Sequence, residues 1–282
     1  MVTVNGVGKY YKDASYHNGE MIMKHDMDIS DQHNTIEIDY ECDGDIARML
    51  IFKKWLEEKC PKATCTLKML YCPYERMDRE IEADDGNLIF SMRYFAQVIA
   101  DAKFDKVVIL DPHSQTCVKE LVDAGVEVEI FDLKEYVNRV IDMCKPDCIC
   151  YPDKGAHEKY TKVLQDIDLP VVVGSKKRDV NQLGRIVDYQ LEDGADIKGK
   201  HILIVDDICC LGGTAYNAAL QLKKAGAVEV NFYISHCENG IFVGKLLKPE
   251  EDGTYAVDRV FTAGTMVLEK GDSHLTTVFI DD

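Results

Sequence analysis

The chain has 282 residues, enough for two ordinary domains with full cores. Its composition of 46% hydrophobic and 29% charged residues is typical of a globular protein, and no apolar run approaches the ~20 residues that span a bilayer. The formal net charge of −17 excludes the basic surface of a nucleic-acid-binding protein. A polyphosphate ligand would therefore need a local group of cations or a metal ion.

The N-terminus and the cysteines indicate the cellular compartment. Residues 1–6 lack the basic region and apolar core that mark a signal peptide. The eleven cysteines are scattered, and many lie in apolar runs, so we expect them to be reduced and buried. We therefore expect a cytoplasmic protein with neither a membrane nor a nucleic-acid partner.

In the first half of the chain, short apolar runs alternate with amphipathic segments. Two antiparallel strands joined by a polar turn are expected over 21–23 and 35–40. The helical spacing of apolar residues predicts helices over 45–60, 88–102 and 116–124. Parallel strands are predicted over 65–71, 107–110 and 126–131.

The same alternation begins again after a connecting segment near 133–146. Strands are predicted over 148–151, 170–173, 201–205 and 228–235, and helices over 158–167 and 214–225. Residues 188–199 contain few apolar side chains and are expected to form a hairpin or a loop. The pattern predicts two α/β domains, 1–136 and 137–282, each a mostly parallel sheet with helices on both faces.

The most informative segment is 201–214. An apolar run typical of a buried strand ends at two adjacent carboxylates, Asp206 and Asp207, and a glycine-containing loop then opens a helix. Ligands of open α/β sheets bind at the carboxyl ends of strands, and the free amides of a helix N-terminus suit a phosphate. Because two carboxylates there can accept the hydroxyls of a sugar, a phosphorylated ribose fits all three parts. The segment resembles the ribose-phosphate loop of type I phosphoribosyltransferases.

Four more groups of charged residues follow predicted strands. They contain Arg76 with Asp78, Asp111 with His113, Asp153, and the cations 176–178. Taken singly, each is more often a solvated turn, a helix cap or a partly buried histidine than a site. The cations 176–178 are unusual because they interrupt a strongly acidic background.

Together, these groups at strand ends resemble the ribose-phosphate pyrophosphokinases, which make phosphoribosyl pyrophosphate (PRPP). Segment 16–20 is similar to the family's Phe-x-Asn/Asp-Gly-Glu sequence, and 73–79 to its Tyr-x-Arg-Gln-Asp-Arg/Lys motif. Segments 110–115, 152–155 and 176–178 resemble its metal and ATP-phosphate segment, its second acid loop and the start of its mobile catalytic loop. Because type I transferases lack the first half of this set, the pattern favours a kinase with two transferase-like domains.

The resemblance implies a role for each matching residue. It implies ATP binding by Asn18, Glu20, Arg76, Asp78 and His113. It implies metal binding by Asp111, His113 and Asp153, and catalysis by Lys176, Arg178 and His113. It implies binding of the ribose phosphate by Asp206, Asp207, Cys209, Cys210, Leu211, Gly212, Gly213 and Thr214.

The implied reaction transfers a diphosphoryl group from ATP, the co-substrate, to the anomeric hydroxyl of ribose 5-phosphate, and AMP leaves. Mg²⁺ is the implied cofactor. The implied assembly is a homo-oligomer of dimers built into a hexamer, in which Asn18 and Glu20 complete a neighbouring subunit's ATP site. The final strand of the chain is a candidate to return to the N-terminal domain.

The chain also departs from the family pattern. Cys210 and Leu211 replace an Asp-Thr pair in the phosphate loop, and Met77 replaces a glutamine. The chain is short, like members carried by bacteriophages, which would place it in the host cytoplasm. A more apolar loop leaves a second acceptor open, ADP-ribose, whose product would serve NAD salvage. A non-catalytic regulatory subunit is a third alternative, which the retained candidate residues disfavour.

Overall fold

The computed structural model describes residues 1–7, 16–24, 28–82, 86–178, 186–192, 196–266 and 272–278, except for the side chains of 176–178 and 186–188. The chain divides into two compact units, residues 1–131 and 132–282. Among the described residues, each unit contains one sheet, with five strands in the first and seven in the second. The predicted class, two α/β units with mostly parallel sheets flanked by helices, is confirmed.

The first unit is a sheet in which the strands lie side by side in chain order. The strands are β1 (Val2–Val4), β2 (His33–Ile38), β3 (Thr64–Lys68), β4 (Lys106–Leu110) and β5 (Val128–Phe131). Strands β2 to β5 run parallel, and β1 is antiparallel to β2. The antiparallel neighbour of β2 is therefore β1 and not the strand predicted over 21–23, where Met21 forms only an isolated bridge.

Three helices accompany this sheet: α1 (Asp43–Lys59), α2 (Ser91–Ala102) and α3 (Gln115–Asp123). Acidic side chains lie in the first turn of α1 and Lys59 in its last, which suits the helix dipole. Helix α2 ends at Lys103 in the left-handed conformation, whereas a glycine, Gly125, follows α3. Apolar faces of the helices pack with the strands in one core that includes Met49, Phe95 and Ile109.

The second unit is a seven-stranded sheet of order β12-β11-β10-β9-β6-β7-β8. Its strands are β6 (Cys148–Tyr151), β7 (Val171–Arg178), β8 (Ile186–Leu191), β9 (His201–Cys209), β10 (Glu229–Cys237), β11 (Arg259–Thr265) and β12 (Leu275–Thr277). All neighbouring strands are parallel except β8, which pairs antiparallel with β7. The last described strand, β12, pairs with β11 and so lies in the second sheet, not in the first.

The helices of this unit are α4 (Leu133–Cys144), α5 (Lys154–Val163) and α6 (Gly213–Lys224), with a short 3₁₀ helix at Asn239–Phe242. The expected connection near 133–146 is a helix, because Asp132 accepts the amide of Lys134 and one apolar face is buried. Helix α5 begins earlier than predicted because the Asp153 side chain caps it.

Strands β9 and β10 continue past the point where their apolar runs suggest an end. They stay paired to the last register position, at which Cys237 lies opposite Cys209. Asp206 and Asp207 are therefore part of β9, and the loop begins only at Cys210. The parallel ladder with β10 is present on both sides of Asp207, so strand β9 holds both carboxylates in extended backbone at its end.

Nine of the eleven cysteines are buried, and Cys42 and Cys210 are exposed; all are free thiols. None of the helices within the described ranges is long and apolar enough to cross a bilayer.

Candidate active site

The two carboxylates of β9 have different surroundings. Asp207 is buried, with 8% of its surface exposed, whereas Asp206 is half-buried and its Oδ1 accepts the Asp207 amide at 3.1 Å. The Nζ of Lys159, on helix α5, lies 3.3 Å from Oδ2 of Asp207. Nothing in the sequence singles out Lys159, since only the packing of α5 beside β9 brings it there. A lysine at this distance donates to the Asp207 carboxylate and orients it.

The loop after β9 ends in a glycine that the backbone requires. Gly212 precedes helix α6 with φ +76°, in the left-handed region that favours glycine. Within the described ranges, no atom beyond its own chain neighbours and helix backbone lies within 4 Å of where a Gly213 Cβ would stand, so this side of the loop is open. The Gly213 carbonyl accepts the Asn217 side-chain amide at 2.7 Å. The first amides of α6, including that of Thr214, form the kind of N-terminus that binds a phosphate.

The other side of this loop packs against residues 238–244. The Glu238 amide donates to the Cys209 carbonyl at 2.8 Å. A Cβ on Gly240 would lie 2.7 Å from the Cys210 carbonyl oxygen, and one on Gly244 would lie 2.0 Å from that of Leu211. Because the two glycines have no side chains, this segment can approach the loop backbone. Two glycines four residues apart, shortly after β10, are the sequence signal that could have indicated this contact. The Leu211 side chain remains 55% exposed.

The acid loop after β6 is fixed by two hydrogen bonds. Asp153 Oδ1 accepts the Ala156 amide at 2.8 Å, which makes Asp153 the cap of α5. The Pro152 carbonyl accepts the Tyr189 hydroxyl at 3.0 Å. Tyr189 was not predicted as a site residue. The backbones of Lys176 and Arg178 lie at the end of β7, and their side chains are outside the described set.

In the first unit, two predicted ATP motifs meet through a residue that sequence analysis missed. Glu75 is fully buried, and its Oε2 accepts the His113 amide at 3.1 Å. Its neighbour Asp78 is also buried and pairs with Arg79 at 2.8 Å. Burial alone would raise the pKa of Asp78, but hydrogen bonds from Arg79 and Ser114 and the charge of Arg79 lower it below its ordinary value.

The remaining predicted residues of this unit lie at three places. Arg76 is exposed in the turn after β3. Asp111 is buried at the end of β4 with φ +44°, a conformation that costs a non-glycine residue energy, and His113 is half-buried two residues later. Asn18 and Glu20 lie in an exposed turn, in which the Asn18 Oδ1 accepts the Glu20 amide at 3.2 Å.

Curated proteins of similar sequence from several organisms share the name ribose-phosphate pyrophosphokinase. The ribose-phosphate pyrophosphokinase of Methanobrevibacter smithii is 28% identical over 243 residues, which cover 80% of this chain and 77% of the relative. That of Sulfurisphaera tokodaii is 27% identical over 183 residues, 64% of this chain and 60% of the relative. That of Cereibacter sphaeroides is 30% identical over 172 residues, which cover 59% of this chain and 48% of the relative. The chain is thus similar in sequence to ribose-phosphate pyrophosphokinases from several organisms.

A solved structure agrees at the level of the fold. The phosphoribosylpyrophosphate synthetase of Mycobacterium smegmatis superposes with a TM-score of 0.71 and 19% identity, and the match covers 94% of this chain and 84% of that one. No family model matches the chain. The matched segments span between about half and three quarters of the three curated relatives, at 27–30% identity.

Proposed function

We propose that the protein transfers the β,γ-diphosphoryl group of ATP to the anomeric hydroxyl of a 5-phosphorylated ribose, which yields PRPP and AMP. The observation that carries this proposal is the β9 strand end. There, two carboxylates, one of them paired with a lysine, come shortly before a helix whose N-cap is a glycine in the left-handed conformation. The names of the relatives point to the same reaction.

The described residues have distinct roles in this proposal. Asp206 and Asp207 accept the 2- and 3-hydroxyls of the ribose and so orient its anomeric oxygen. The loop from Cys209 to Thr214 holds the 5-phosphate through backbone amides. Arg76, Asp78 and His113, with the turn that bears Asn18 and Glu20, bind ATP.

Charge neutralisation at the β-phosphorus falls to Lys176 and Arg178, whose positions match the family's catalytic cations. Phosphoryl transfer depends mainly on positioning and on neutralising charge on the transferring group. Two cations at the reacting phosphate act on charge that develops in the transition state, so they affect turnover more than binding.

The acidic residues also fit the proposed cofactor, Mg²⁺. Within the described residues no three metal-ligating side chains converge. Mg²⁺ ordinarily takes one or two carboxylates and completes its shell with substrate phosphates and water, so an isolated acid such as Asp153 suits it. Asp111 and His113 complete the proposed metal-binding set. Bound Mg²⁺ would supply charge neutralisation on the phosphates.

One observation favours a second acceptor, ADP-ribose. Leu211 is 55% exposed within the phosphate loop, next to the exposed Cys210. An apolar, exposed side chain at this point suits an acceptor that continues beyond its 5-phosphate better than one that ends in a phosphate dianion. The chemistry would be unchanged, and the product would be ADP-ribose pyrophosphate. Ribose 5-phosphate remains the first candidate, because it is the substrate that the family name specifies.

The first experiment measures AMP release from ATP and Mg²⁺ with each acceptor separately. We expect AMP with at least one acceptor and a fall in turnover of orders of magnitude in Lys176→Ala, with little change in the KM for ATP. Absence of AMP with both acceptors would contradict the catalytic proposal and favour a regulatory subunit. Near-normal turnover in Lys176→Ala would contradict the role of this lysine.

The second experiment changes acceptor preference. We expect the double variant Cys210→Asp with Leu211→Thr, which restores the family's polar pair, to improve kcat/KM for ribose 5-phosphate relative to ADP-ribose. An unchanged ratio would mean that the backbone amides alone set the preference.

The assembly is proposed on the same resemblance. Dimers built into a hexamer would let Asn18 and Glu20 of one subunit complete the ATP site of another, and the cytoplasm, including that of a phage host, is the proposed location. The mass of the protein in solution and a mixing experiment between Glu20→Ala and Lys176→Ala subunits test this. Mixed assemblies that regain activity would support a shared site, whereas additive loss would oppose it.

A further inference from the structure

A buried tyrosine on the β7–β8 hairpin contacts the acid loop. Tyr189, on β8, is 5% exposed, and its hydroxyl donates to the Pro152 carbonyl oxygen at 3.0 Å. Pro152 immediately precedes Asp153, the cap of helix α5. One hydrogen bond thus joins the hairpin to the backbone that carries a proposed metal ligand.

This contact depends on a glycine. A Cβ on Gly174, in β7, would lie 1.9 Å from the Tyr189 hydroxyl oxygen and 2.7 Å from the Pro152 carbonyl oxygen. Both distances are far below any real carbon–oxygen contact, so no larger residue fits without displacing one of the partners. Gly174 therefore admits the tyrosine hydroxyl to the carbonyl.

The position of Tyr189 relates it to both proposed functional strands. In the β7–β8 ladder, its Cα lies opposite that of Lys176. Burial raises the pKa of Tyr189 above its ordinary value, and the charges of Asp153 and Asp206 add to the effect. The hydroxyl therefore stays protonated at neutral pH and remains a donor. The charges that act on it thus come from one acid of the loop after β6 and one acid of strand β9.

We propose that Tyr189 is a positioning residue for diphosphoryl transfer. Its hydroxyl, admitted by Gly174, holds the Pro152–Asp153 loop at a fixed place beside the strand that bears Lys176 and Arg178. Because the hydroxyl donates to the Pro152 carbonyl oxygen, Tyr189 acts through Asp153 and β7 and not on a substrate. This inference rests on the proposed function for its catalytic consequence, but the bracing contact itself is a separate structural claim.

The test uses Tyr189→Phe, which removes the hydroxyl and keeps the ring. The free energy of a lost hydrogen bond to a buried carbonyl corresponds to about a tenfold change in a rate constant. We therefore expect kcat to fall about tenfold with little change in the KM for ATP. The kcat of Gly174→Ala should fall at least as far. The double variant should lose no more than the worse single one, because both changes remove the same contact.

A second measurement does not depend on activity. Hydrogen exchange in peptides covering residues 152–157 should rise in Tyr189→Phe and Gly174→Ala, while peptides from β10 stay unchanged. Tyr233→Phe is the matched control, since it removes a hydroxyl from another fully buried tyrosine, on β10. It should leave exchange at 152–157 at the wild-type level.

The outcomes separate the two claims. Wild-type exchange at 152–157 in Tyr189→Phe would overturn the brace, as would strictly additive losses in the double variant. Faster exchange with unchanged kcat would overturn the catalytic consequence. If the wild-type protein releases no AMP with either acceptor, the proposed function fails, and exchange alone then decides whether the brace exists.

Discussion

The ammonium group of Lys159 lies 3.3 Å from Oδ2 of Asp207, which joins helix α5 to the carboxylate end of β9. Both side chains are mostly buried, with 17% and 11% exposed. Burial of this degree makes the pair stronger than a surface ion pair, and it leaves Asp207 poorly solvated if the lysine is lost. The contact therefore fixes one of the two acids proposed to bind the ribose hydroxyls.

Replacing this lysine should weaken acceptor binding. In Lys159→Met we expect the acceptor KM to rise about tenfold, ~1.4 kcal/mol, because the buried Asp207 carboxyl loses the group that orients it. The KM for ATP should change much less. Steady-state kinetics with each substrate varied in turn measures both effects. Lys162→Met, at an exposed position of the same helix, is the control; equal kinetics in the two variants would contradict the role of Lys159.

Two glycines of the phosphate loop region should respond differently to alanine. In Gly244→Ala the new Cβ would lie 2.0 Å from the Leu211 carbonyl oxygen, so the loop must shift. We expect a Tm lower by several degrees and a weaker acceptor interaction, since about 1 kcal/mol corresponds to roughly 2–4 °C in a chain of this size class.

Gly213→Ala should keep the Tm near that of the wild type, because in the described part of the chain no atom from another segment lies within 4 Å of the added Cβ. It should still raise the acceptor KM, since the methyl group stands on the open side where the phosphate is proposed to approach. Calorimetry and kinetics on the two variants check the contrast. An unchanged acceptor KM in Gly213→Ala would place the phosphate elsewhere.

Thiol labelling locates the acceptor without measuring turnover. At neutral pH only Cys42 and Cys210 of the native protein should react quickly with a maleimide, because the other nine thiols are buried. Burial raises the pKa of Cys65 and of Cys144 to about 11, which leaves almost no reactive thiolate.

The bound acceptor should protect Cys210 and not Cys42, which lies before α1 in the other unit. Peptide mapping by mass spectrometry after brief labelling, with and without each acceptor, measures this protection. Equal labelling of Cys210 in both conditions would count against a phosphate site in the Cys209–Thr214 loop.

Glu75 should matter for ATP through His113. Glu75→Ala removes a buried acceptor and leaves the His113 amide without it, which costs about 1–3 kcal/mol of stability. We expect a lower Tm and a higher KM for ATP. Glu75→Gln keeps an acceptor oxygen, so we expect smaller changes in both the Tm and the KM for ATP. Glu80→Ala, at an exposed position of the same segment, is the control; a Glu75→Ala protein that matches it would refute the link.

The sequence by itself determined the fold class, the resemblance to ribose-phosphate pyrophosphokinases and the strand ends that carry the candidate residues. The reason is that hydrophobic periodicity and turn residues are local signals, and Asp206, Asp207 and the following glycines lie within a few residues of one another. The length over which strands pair was harder to predict from the sequence. The apolar run of β9 suggests an end at Val205, but the ladder with β10 carries the strand on to Cys209.

Only the tertiary structure decided which distant side chains meet the candidate residues. Lys159 and Asp207 are 48 positions apart, Glu75 and His113 are 38 apart, and Tyr189 and Pro152 are 37 apart. No short-range pattern encodes such contacts, since each depends on how a helix or a hairpin packs on the sheet. The same holds for Gly174, Gly240 and Gly244, whose missing side chains matter only because another segment comes within contact distance.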